Sequence, residues 1–218
     1  MFRYIFFDLD GTLTDSKEGI LNSLRYVFEK MGRPVPPETV LIKFIGPPLQ
    51  DSFAEVCGFS PEETRRAIAL FRERYEPVGK FENVAAPGMA ELCARLKDRG
   101  YTLALASSKP ERLCQSICEK FRFAPSLTVV AGSPPVGDWA KADVIREAMR
   151  RLHLTEEQRG EILMVGDRKY DVEGAKACGI SCVGVEFFGY AAPGELLDAG
   201  AVAVVRTPEE LETYIRTH

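Results

Sequence analysis

Histidine is nearly missing from this 218-residue chain: there are two, His153 and His218, and the second is the C-terminal residue. Sites that need several imidazoles, such as a His-rich dinuclear metal centre or a paired-His phosphotransfer site, lack the ligands. A Ser-His-acid triad would have to use His153, which sits in Arg150-Arg151-Leu152-His153-Leu154 and reads as a helix-terminal residue. The six cysteines contain no C-x-x-C pair, which excludes a zinc knuckle and a thioredoxin-like centre. Cys93 and Arg99 are separated by helix interior without glycine, so they do not form a cysteine-phosphatase loop. There is no excess of basic charge either. Twenty-eight Lys and Arg against 32 Asp and Glu leave a net charge of −4, unsuited to sequence-independent nucleic-acid binding. Long apolar runs are lacking too. Met1–Phe7 begins like a leader, but Asp8 and Asp10 interrupt it, and no other segment approaches a membrane span. A soluble, cytoplasmic chain is the expectation, with neither nucleic acid nor membrane as partner. Its chemistry must come from carboxylates, hydroxyls and lysines.

What is present is a repeating alternation. Short apolar runs at Tyr4–Phe7, Thr102–Ala106, Leu127–Ala131, Ile162–Val165, Cys182–Val185 and Val202–Val205 are each followed by a helical pattern. Consecutive apolar positions suit strands covered on both faces, hence a mainly parallel sheet. The predicted fold class is α/β, a Rossmann-like doubly wound parallel sheet. Helix starts are marked by Ser60-Pro61-Glu62-Glu63 and Thr207-Pro208-Glu209-Glu210, and helix stops by Gly100 and Gly179. One spacing breaks the pattern. About ninety residues separate Phe7 from Thr102, where a crossover needs about a dozen. Residues 16–85 read as helical, with Ile20, Leu21, Leu24, Val27, Phe28 and Met31 forming one apolar stripe. They are expected to form an α-helical cap domain inserted above the ligand crevice of a core made of 1–15 and 86–218.

Four polar motifs fall at strand ends. Asp8-Leu9-Asp10-Gly11-Thr12 follows the first strand and Ser107-Ser108-Lys109 the second. Lys141 opens the helix after the third, and Gly166-Asp167-Arg168-Lys169-Tyr170-Asp171 follows the fourth. Singly, each has a bland explanation as turn, cap or solvated charge. Together they bring carboxylates to one sheet edge, where they repel unless a hard cation lies between them. Mg²⁺ suits such an oxygen-only set.

With these motifs the sequence resembles the haloacid dehalogenase superfamily of aspartyl phosphohydrolases over essentially its whole length. Lys141-Ala142-Asp143-Val144-Ile145, Gly166–Asp171 and Gly46-Pro47-Pro48-Leu49 are similar to its branch of phosphoglycolate phosphatases and 5′-nucleotidases. The resemblance implies Mg²⁺-dependent hydrolysis of a small phosphate ester. Asp8 would be the nucleophile and Asp10 the general acid and base. The catalytic set would include Ser107 and Lys141, and the phosphate would be held by Ser107, Ser108, Lys141 and Gly11. Asp8, the Asp10 carbonyl and Asp167 would bind metal, with Asp171 acting through water. An aromatic residue two places after the nucleophile would mark a dehalogenase and a Thr an ion pump; Asp10 stands there instead. Substrate choice is expected from Lys43, Phe44, Gly46 and Pro47, with Lys109 and Arg168 on the core rim. A phosphomutase shares Asp8 and Asp10, and a phospho-accepting signalling module is the rival from another class.

Overall fold

A computed structural model describes residues 1–134 and 139–218. In chain order the strands are β1 (Tyr4–Phe7), β2 (Thr14–Asp15), β3 (Val84–Ala85), β4 (Thr102–Pro110), β5 (Val129–Ser133), β6 (Ile162–Gly166), β7 (Ser181–Val185) and β8 (Ala203–Val205). The helices are α1 (Lys17–Lys30), α2 (Glu38–Leu41), α3 (Leu49–Cys57), α4 (Pro61–Tyr75), α5 (Met89–Asp98), α6 (Glu111–Lys120), α7 (Lys141–Arg151), α8 (Lys169–Ala177), α9 (Glu195–Ala199) and α10 (Pro208–Thr217). The chain divides into two compact units. One comprises Met1–Thr14 with Ala85–His218, the other Asp15–Val84.

The larger unit is built on a six-stranded sheet of order β5-β4-β1-β6-β7-β8, parallel throughout. β6 is apolar and buried at every position and β4 is so from Leu103 to Ala106, because both faces of the sheet's centre are covered. Ile5, Phe7, Leu103, Leu105, Leu163 and Val165 point into one core with residues of α5, α6 and α10. Phe6, Ala104, Ala106, Ile162 and Met164 point the other way, onto α7, α8 and α9. This alternation follows from the period of two along a strand. It makes the fold doubly wound, as expected. Phe6 and Phe7 are both fully buried, each contributing roughly 1.5–3 kcal/mol relative to exposure.

Sequence order reverses at β1, whose neighbours are β4 and β6. Phe7 stands opposite Leu105 on one side and Val165 on the other. The segments after these three strands therefore leave the sheet together at its carboxyl edge, the place where open α/β sheets bind ligands.

The smaller unit is helical. α1 packs on α4, and an aromatic cluster fills the interior: Phe53 stacks on Phe59 at 5.6 Å and meets Phe44 edge-on at 5.0 Å. Ser60 caps α4 in the expected reciprocal box with Glu63. The corresponding box at Thr207 is only half formed. Thr207 accepts from the Glu210 N–H, but the Glu210 carboxylate takes the N–H of Arg206 at 2.7 Å rather than that of Thr207. β2 and β3, at the two crossings between the units, pair as a two-stranded ribbon. No helix among the described residues is long and apolar enough to cross a membrane.

Candidate active site

The turn after β1 is shaped by one carbonyl. Leu9 O accepts the N–H groups of Thr12, Leu13 and Thr14, so the chain folds back immediately after Asp8. Gly11 takes φ +84° within this turn, and a Cβ there would lie 2.0 Å from Asp167 Oδ2. Glycine is thus required twice, by conformation and by the closeness of the β6 loop. Thr12, fully buried, donates its hydroxyl to Asp167 Oδ1 at 3.4 Å.

Three carboxylates converge beside the turn. Asp8, Asp167 and Asp171 are buried, and one oxygen from each lies within 4.8 Å of the others. Asp8 continues β1, its N–H bonded to Val165 O. Asp171 sits in the first turn of α8 and accepts the Arg168 N–H at 3.1 Å. Lys141, the first residue of α7, brings its ammonium 2.7 Å from Asp8 Oδ1 and 2.7 Å from Asp171 Oδ1. It also donates to Ala106 O at 3.2 Å. Its path across α8 needs Gly174, where a Cβ would meet Lys141 Cγ at 2.7 Å.

The electrostatics of the cluster are lopsided, with one buried cation against three acids. Burial alone would lower the Lys141 pKa. Asp171 and Asp8 outweigh it and hold the ammonium above its ordinary range. Burial, then the charges of Asp171 and Asp8, push the Asp167 carboxyl well above the usual carboxylate range. Burial likewise raises Asp171, more than Lys141 lowers it. Asp167 Oδ2 is buried with no hydrogen-bond partner among the described residues. An oxygen-only donor set carrying surplus negative charge and an unused buried oxygen fits a hard divalent cation such as Mg²⁺.

Asp10 does not join this cluster. Its two oxygens lie 2.8 and 2.7 Å from the ammonium of Lys109, in an ion pair whose side chains are 15% and 8% exposed. Sequence reasoning placed Lys109 on the rim toward substrate and missed the pair. The one available signal was opposite charge at the ends of the adjacent strands β1 and β4. Ser107 is buried near the end of β4, and Ser108 beside it is half-buried. Arg168, also expected on the rim, donates to Glu195 Oε1 at 2.8 Å, a partner that sequence reasoning did not foresee.

The four residues expected to choose the substrate lie in the helical unit. Lys43 and Gly46 are exposed and Pro47 is half-buried. Phe44 departs from that expectation. It is 2% exposed and packed against Phe53, an interior position of the helical unit, because an aromatic ring gains more from burial there than from solvent contact.

Comparison with known proteins follows the same lines. A family model described as haloacid dehalogenase-like hydrolase matches residues 5–185. A 5′-nucleotidase of Pseudomonas aeruginosa is 37% identical over 88% of this chain and 86% of its own. The tyrosine-protein kinase PtkA of Mycobacterium tuberculosis is 36% identical over 93% of this chain and 68% of its own. The crystal structure of a predicted phosphatase from Clostridium acetobutylicum superposes with a TM-score of 0.93 at 38% identity, covering 100% of both chains.

Proposed function

The chain belongs to the haloacid dehalogenase-like hydrolases and is a phosphatase of that family, and from this premise we propose that it is a Mg²⁺-dependent phosphomonoesterase working through an aspartyl-phosphate. The proposed substrates are small cytoplasmic phosphorylated metabolites of the nucleoside 5′-monophosphate or phosphoglycolate type. The observation that carries the reading is the pairing of buried Asp8 with the Lys141 ammonium at 2.7 Å, beside two further buried carboxylates. That is a nucleophile whose charge is balanced, next to a place for a cation.

In the proposed reaction a carboxylate oxygen of Asp8 attacks phosphorus and the ester P–O bond breaks. Asp10 gives a proton to the departing alkoxide. It then takes one from the water that attacks the phosphorus of the aspartyl-phosphate, and cleavage of that bond frees inorganic phosphate and restores Asp8. Lys141 and Ser107 hold phosphoryl oxygens, with Ser108 and the backbone at Gly11 beside them. Asp8, Asp167 and the Asp10 carbonyl would hold Mg²⁺, with Asp171 acting through water. The cation would supply neutralisation of the charge gathered between Asp8 and the phosphate. Lys43, Gly46 and Pro47 are proposed to select the leaving group.

The test is hydrolysis of an aryl and an alkyl phosphate with Mg²⁺. Asp8→Asn is expected to lower turnover of both by at least ~10³-fold while the circular dichroism spectrum stays native; retained turnover removes the nucleophile. Asp10→Asn is expected to spare the aryl ester, whose leaving group needs little protonation, and to slow the alkyl ester ~10²–10⁴-fold. Product analysis separates hydrolysis from its rivals. An isomeric phosphate ester would mean a mutase, and phosphate on added tyrosine peptide, as the Mycobacterium relative's name raises, would mean a different acceptor.

A further inference from the structure

Two lysines reach the carboxyl edge of the sheet, and between them they pair with three of its four aspartates. Lys141 takes Asp8 and Asp171; Lys109 takes both oxygens of Asp10. Lys109 is more enclosed than the acid it grips, 8% against 15%, so it holds Asp10 from the protein side.

The backbone around Lys109 is deformed to allow this. β4 pairs regularly with β5 through Ala106↔Ala131, then resumes only at Pro110↔Ser133. Ser107, Ser108 and Lys109 thus stand opposite the single residue Gly132, a bulge of the kind that re-aims a side chain. The bulge is packed down hard. A Cβ on Gly132 would lie 2.7 Å from Lys109 O and 2.4 Å from Glu111 Cα. The buried Cys114 thiol donates to the same Lys109 carbonyl at 3.5 Å. The ammonium is therefore presented from a fixed support.

We propose that Lys109 is a positioning residue for Asp10, holding its carboxylate apart from the Asp8–Asp167–Asp171 cluster and at the ester oxygen of the substrate. The proposal rests on the phosphatase reading above and deepens it. Asp10 is only two residues from Asp8, and a cation bound by the cluster would attract any free carboxylate within reach. A fourth carboxylate captured there would be lost to proton transfer. Lys109 supplies the competing attraction. It acts through Asp10 and needs no contact with the reacting atoms.

The experiment compares Lys109→Met, which keeps the stem and removes the charge, with Lys109→Arg, which keeps the charge and can grip a carboxylate with two N–H groups. Lys109→Met is expected to lower kcat for an alkyl phosphate ~10–100-fold, with KM and the aryl phosphate rate changing less than about threefold. Lys109→Arg should recover most of the loss. In an Asp10→Asn background, Lys109→Met should add nothing further. Crystal structures of the wild type and Lys109→Met, each with Mg²⁺, give a readout independent of turnover: the Asp10 carboxylate should leave its place and turn toward the cluster. Equal losses on both esters, additivity with Asp10→Asn, or an unmoved Asp10 carboxylate would each overturn the proposal. Wild-type protein that hydrolyses neither ester would remove the hydrolase reading instead, and the two crystal structures would still decide where Lys109 puts Asp10.

Discussion

The two units bury polar groups in different ways. In the helical unit the buried polar residues are uncharged: Ser16, Ser23, Ser52, Thr64 and Asn83. Its most enclosed ion pair, Arg74 with Glu82 at 2.7 Å, keeps 23% and 26% exposure. The larger unit buries Asp8, Asp167, Asp171 and Lys141 within one cluster, with more acid than base. A fold selected for stability alone gains little from such an arrangement, since desolvating charge costs more than an imperfect pairing returns. Charge buried against that cost, at the reversal point of the sheet, marks chemistry. Uncharged polar groups buried among helices mark scaffold.

The strongest way to break this contrast is Lys141→Met. It leaves Asp8 and Asp171 without their counter-charge and should destabilise the metal-free protein by roughly 3–5 kcal/mol, read by urea unfolding in the presence of chelator. A loss no larger than that of a surface pair would erase the energetic difference between the units. Asp167→Asn should act in the opposite sense. The Asp167 pKa is raised, so its ionised form is disfavoured in the folded state, and removing the charge should stabilise the metal-free protein by about 1–2 kcal/mol. On the proposed reading Mg²⁺ should raise the Tm of the wild type, and the same substitution should abolish that rise. The smallest effect belongs to the helical unit. Arg74→Met should cost about 1 kcal/mol or less at neutral pH. The hydrogen bond from Arg74 lowers the Glu82 pKa, so the pair's contribution is present above the ordinary Glu value of about 4.3 and fades as pH falls through the lowered one. Unfolding curves of wild type and Arg74→Met should therefore converge in acid.

The fold was legible in the sequence because the sheet is covered on both faces, which leaves each strand a short apolar run, such as Leu103–Ala106 within β4. Strand ends were less so. Leu127 looks like the start of β5, but the turn at Ala124–Ser126 bonds its N–H to Ala124 O, and the strand begins at Val129. At the candidate site, Asp8, Lys141, Asp167 and Asp171 could be gathered on paper because each follows a recognisable strand or opens a helix. The hold of Lys109 on Asp10 could not, since it depends on a bulge in β4 that no composition or periodicity announces. Phe44 misled for a related reason. Flanking residues Lys43 and Gly46 are solvent-exposed, and only packing reveals that the ring between them turns inward.

The β2–β3 ribbon brings the entry and exit of the helical segment to neighbouring strands, spaced by about 5 Å. The turn that carries Asp8 and Asp10 comes before that ribbon in the chain, and Ser107, Lys141, Asp167 and Asp171 come after it. Between these two stretches the chain makes the whole detour of Asp15–Val84, yet β1 and β4 stand side by side, so the sheet and not the backbone joins them.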